Sequence, residues 1–118
     1  MTLLDECLEA LGEYSILNDK KAKNIISKLH FSKFGRIKRE EYLSFKEISV
    51  KDIEIFSNEA CYIVYSDVTV PKIETTIKNV LKNLDDVLAV SFDTWLILET
   101  KRIIIEFYHE DCITLLNF

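Results

Sequence analysis

Glycine and proline together supply only three of the 118 residues, which leaves no room for a glycine-rich phosphate loop, a GxGxxG fingerprint or a Walker sequence. Nucleotide-dependent chemistry is therefore unsupported. The same scarcity, set beside 48% hydrophobic residues, excludes a linker-rich, collagen-like or disordered chain. No apolar run approaches the roughly 20 residues needed to cross a bilayer. The N-terminus carries Asp5, Glu6 and Glu9 with no basic stretch, unlike a secretory or transit segment, so a cytoplasmic protein is expected. Histidine is limited to His30 and His109. The cysteines, Cys7, Cys61 and Cys112, are an odd set without CxxC spacing, and the expectation is three reduced thiols packed as small hydrophobes. Neither a metal nor a cofactor is expected.

What is present is strong hydrophobic periodicity. A chain of this length buries roughly two-thirds of the surface it exposes when unfolded, enough for one core. Leu3, Leu4, Cys7, Leu8 and Leu11 form one helical stripe, which Gly12 can stop. Asn18 is placed to cap a second helix whose apolar face is Ala22, Ile25, Ile26 and Leu29 and whose other face is lysine-rich. Tyr42 to Ile48 and Ala60 to Tyr65 read as strands. Pro71 suits a first helical position, and Ile73, Ile77, Val80, Leu81 and Leu84 follow at helical spacing, so a third helix is predicted, ending before Asp85 and Asp86.

From Val87 onward, short β-rich runs at Val87 to Phe92, Trp95 to Glu99, Arg102 to Tyr108 and Cys112 to Phe118 predict an antiparallel meander. Ile105 and Phe107 should face the core. The fold class expected is α+β, a single two-layer domain over 1–118. In it the N-terminal helices and one further helix pack on a mostly antiparallel sheet ending in a C-terminal β-meander.

Catalytic constellations are sparse. Tyr108-His109-Glu110-Asp111-Cys112 offers a base, acids and a thiol, but alternation along a strand separates neighbouring side chains, so His109 and Cys112 are a weak pair for nucleophilic catalysis. A non-catalytic binding protein is expected. Charge is more informative. Residues 18–46 hold nine Lys or Arg against three acids, whereas residues 47–118 hold six against thirteen. The basic stretch Lys33, Arg36, Lys38 and Arg39, interleaved with Phe31, Phe34 and Tyr42, has the residue mix of a nucleic-acid contact. A net charge of −5 opposes long-range attraction to a polyanion, so a nucleic-acid partner is the alternative reading. The acidic half combines carboxylates with aromatics. Asp93, Trp95, Glu106, Tyr108, Glu110 and Asp111 are the candidate partner-binding residues, and a basic protein is the implied complement. Trp95 has a second reading as a core residue.

Phe92-Asp93-Thr94-Trp95-Leu96-Ile97-Leu98, Ile104-Ile105-Glu106-Phe107-Tyr108-His109-Glu110 and the terminal Asn117-Phe118 resemble the closing hairpins of small bacterial immunity proteins. More loosely, the opening helices with Gly35-Arg36-Ile37 do the same. Those proteins are the antidotes carried beside contact-dependent growth inhibition and related polymorphic toxins. The resemblance implies a cytoplasmic, non-catalytic protein that binds one cognate toxin domain, often a nuclease, and covers its active site or an adjacent surface. It carries over no functional residue, so the partner-binding set rests on charge and aromatic placement alone.

Overall fold

Among the described residues seven antiparallel strands form one sheet in the order β1-β4-β3-β5-β6-β7-β2. The structure, a computed structural model, describes residues 2–32, 35–109 and 112–118. The strands are β1 (Ser15–Ile16), β2 (Ser44–Glu47), β3 (Ala60–Tyr65), β4 (Ile73–Thr76), β5 (Thr94–Leu98), β6 (Ile103–Tyr108) and β7 (Cys112–Asn117). The helices are α1 (Leu3–Leu11), α2 (Asp19–Ile26), α3 (Val50–Ile53), α4 (Ile77–Lys82) and α5 (Leu84–Leu88). This is the expected α+β class, and β5, β6 and β7 are the C-terminal meander.

Local chemistry sets the helix ends. In a capping box at the start of α1 the Thr2 N–H donates to the Asp5 carboxylate and the Asp5 N–H to the Thr2 hydroxyl, and Gly12, at φ 67°, ends the helix by donating to the Leu8 carbonyl. Asn18 caps α2 through its side chain, which accepts from the Lys21 N–H.

The central strands β5 and β6 are buried on both faces, while the edge strands β1 and β2 are exposed. Ile63, Leu96, Ile105 and Phe107 point to a larger apolar layer with Cys7, Leu11, Ile53, Val80 and Val87 from the helices. Ile105 is fully buried and Phe107 nearly so, as the alternation of β6 requires. On the opposite face Val64, Trp95, Ile97, Ile104 and Leu116 pack under Ile25, Leu29 and Ile37. Most of the helices thus share one face, while α2 and the segment that follows it close the other.

Two elements differ from the periodicity reading. Ile73 to Thr76 pairs with β3 as a strand, with Ile63 opposite Ile73 and Ala60 opposite Thr76, because pairing with a buried strand outweighs a helical spacing that Ile73 also satisfies. The helix begins only at Ile77, where the Thr76 hydroxyl accepts from the Asn79 N–H. Asp85 and Asp86 stand in the first turn of α5, where acids favour the helix dipole. Val87, expected to open a strand, instead sits in α5, fully buried, and its carbonyl accepts from the Tyr65 hydroxyl at 2.9 Å.

Candidate functional site

The chemistry of this chain collects where β3, β5, β6 and β7 reach a common end. Register places Tyr65 opposite Thr94, Thr94 opposite Phe107, and Tyr108 opposite Cys112. Two carboxylates organise this region, and both are buried.

Glu106 is the first. Its strand has apolar layers on both faces, so a residue alternating with Ile105 and Phe107 still lies inside, at 0% exposure. The Trp95 indole donates to Oε2 at 2.9 Å, the Ile37 backbone N–H donates to the same oxygen at 3.0 Å, and Arg36 Nε donates to Oε1 at 3.3 Å. A carboxylate taken out of water needs such partners. Burial works against the Arg36 charge, yet its hydrogen bonds to Cys112 and Glu106 outweigh that and raise its pKa. The Arg36 guanidinium also lies 4.6 Å from the Tyr108 ring centroid. Glu106 therefore ties the segment after α2 to the sheet.

Asp93 is the second. Its Oδ1 accepts from the His109 backbone N–H at 2.8 Å and lies 2.9 Å from His109 Nδ1. The His109 ring packs between Tyr108 at 4.3 Å and Phe92 at 6.0 Å. Around Asp93 the loops are joined by hydroxyls. Ser66 Oγ and Ser91 Oγ are 2.6 Å apart, Ser91 Oγ accepts from the Asp67 N–H at 3.0 Å, and Ser66 Oγ accepts from the Asp93 N–H at 3.1 Å. Three chain segments form one hydrogen-bonded platform.

The structure corrects the exposure expected of the partner-binding set. Asp93, Trp95 and Glu106 are buried rather than outward-facing; the physical reason is the second apolar layer, which covers the face carrying Trp95 and Glu106. Tyr108 is half-buried. Glu110 and Asp111 lie outside the described residues, as do Lys33 and Phe34. His109 and Cys112 have separate partners, Asp93 for the first and Arg36 and Glu47 for the second, and no hydrogen bond joins the two. Among the described residues no group of three or more His, Cys, Asp or Glu is placed to hold a metal ion.

Much of the basic segment is also engaged. Arg36 serves Glu106, Arg39 Nη2 donates to Thr114 Oγ1 at 3.1 Å, Phe31 meets Trp95 edge-on at 4.9 Å, and the Tyr42 hydroxyl donates to the Lys28 carbonyl. Those aromatics and arginines hold the segment down, which weakens the stacking surface that the nucleic-acid reading needs. Sequence reasoning missed Ser66 and Ser91 altogether, since isolated hydroxyls in loops carry no pattern.

The described residues thus make a small α+β domain, a sheet covered by helices with a hydrogen-bonded loop platform at one end. The model of the CdiI immunity protein EcoliA0-like family matches residues 1–116, and the chain belongs to that family. Comparison with curated proteins finds no match. No helix among the described residues is long and apolar enough to cross a membrane.

Proposed function

We propose that the chain is a cytoplasmic, non-catalytic antidote that acts as a single domain. It neutralises one cognate toxin domain, a nuclease being the favoured class, by covering its active site or an adjacent surface. Membership of an immunity-protein family is the observation that carries this reading. The charge pattern supports it, because a nuclease is basic around its substrate groove and the thirteen acids against six bases of residues 47–118 complement such a surface. The partner-facing region we favour is the sheet end, with Tyr108 joined by exposed Asp67, Asp85 and Asp86; Glu110 and Asp111, which follow His109 in the sequence, remain in the proposed set on charge alone. Asp93, Trp95 and Glu106 support it from behind.

The test is binding and inhibition of the cognate toxin domain, which membership of an immunity family leads us to expect encoded immediately upstream. Stoichiometric inhibition that survives nuclease treatment is expected. Asp67→Lys combined with Asp85→Lys and Asp86→Lys should slow association and flatten its salt dependence. A wild-type protein that leaves the toxin unbound and active would overturn the reading.

A further inference from the structure

The sheet end leaves two large apolar side chains almost wholly outside, Phe92 at 84% and Val68 at 82% exposure. Single exposed apolar residues need no explanation, but these two belong to loops tied together by the Ser66 and Ser91 hydroxyls. The Val68 loop is held again where Asp67 Oδ1 accepts from the Thr69 N–H and hydroxyl at 2.9 and 2.7 Å. Their backbone is therefore ordered before any partner arrives, which lowers the entropy that association costs.

Beside Phe92 a cavity of about 290 Å³ opens between α5, the start of α3 and the ends of β6 and β7; Val50, Leu84, Leu88, Phe107 and Ile113 make its apolar lining, and Thr94, Tyr108, His109 and Cys112 complete it. An apolar cavity of roughly 150 Å³ already accepts a benzene-sized group. This one has room for a large aromatic or branched side chain. A protruding ring next to a largely apolar recess matches the pairing of anchors and desolvated pockets that dominates binding energy at protein interfaces.

Charge selects the partner. Asp85 and Asp86 are exposed on α5 and Asp67 is exposed in the Val68 loop, and residues 84–93 carry no base. A second copy of this end would set acid against acid, whereas a basic surface is attracted. We infer that Phe92 and Val68 are the apolar anchors of the toxin interface, and that the recess beneath Phe92 receives an apolar side chain from a basic face of the toxin. This rests on the toxin-binding reading above.

The experiment measures Kd for the upstream-encoded toxin domain with wild-type protein, Phe92→Ala, Val68→Ser and Val50→Phe, the last narrowing the mouth of the recess. All three replaced side chains are exposed, and circular dichroism melts verify that each variant folds. Phe92→Ala should weaken binding about 30-fold or more, carried by the off-rate, and Val68→Ser and Val50→Phe should weaken it in the same direction. Wild-type binding with every variant within about twofold would overturn the anchor inference and leave toxin binding standing. Absence of wild-type binding would overturn both. Sedimentation showing a wild-type dimer that Phe92→Ala dissolves would make this surface a self-contact and refute the assignment.

Discussion

Removing the Glu106 carboxylate should be among the most damaging single changes to this protein. Glu106→Ala strips the acceptor from the Trp95 indole N–H, the Ile37 N–H and Arg36 Nε, while the site itself stays fully buried. Each buried donor left unpaired costs about 1–3 kcal/mol, and breaking a buried charge pair from one side costs about 3–5 kcal/mol. Arg36 retains some access to water, its side chain being 29% exposed, so the lower part of that range applies to it. A total of about 5 kcal/mol, the low end of these contributions, is a large fraction of the roughly 5–15 kcal/mol that holds a domain together, and at about 4 °C per kcal/mol it lowers Tm by about 20 °C. Glu106→Gln, which keeps one acceptor oxygen and adds an N–H that faces existing donors, should lose about half as much. Urea titration of both variants, with Trp95→Phe in a double-mutant cycle, provides the assay. Coupling of about 0.5–3 kcal/mol between positions 95 and 106 is expected for groups in one network. Strictly additive variants, or a Glu106→Ala loss below about 1 kcal/mol, would refute the assignment of Glu106 as the tie between sheet and segment.

Phe107→Ala removes a nearly buried ring from the larger layer and should cost about 3–5 kcal/mol in urea unfolding; a loss under about 1 kcal/mol would mean the opposite face of β6 bears the packing. Burial pushes the Cys61 thiol up to about 12 from an ordinary 9.0. Above pH 9 the unfolded chain then gives up this proton while the folded chain keeps it, so stability should fall as pH rises towards 12, by up to about 1.4 kcal/mol per pH unit from this group. Stability unchanged between pH 9 and 11 would contradict that. Thiol labelling of the native protein should modify half-buried Cys112 ahead of buried Cys7 and Cys61, and mass mapping of the labelled peptides checks the order.

Elements governed by near neighbours were legible in the chain itself. Leucine spacing and Gly12 define α1, Asn18 caps α2, and alternation across Ile103, Ile105 and Phe107 marks the inward face of β6. Each depends on residues within one or two turns of each other, or on the period of two along a strand. The acidic bias of the second half, and with it the sign of an expected partner, was equally plain. Other features depended on contacts distant in sequence. Ile73 to Thr76 satisfies both a helix and a strand, and only β3 decides between them. Glu106 reads as an outward acid because alternation assumes one solvated face, but Ile37, almost 70 residues earlier in the chain, folds back over Trp95 and seals that face. Once it does, a carboxylate placed for solvent becomes a buried acceptor, while Phe92 and Val68, whose loops are held by serine hydroxyls 25 residues apart, stay exposed. Local pattern determined which residues prefer water; closure of the second layer decided which of them reach it.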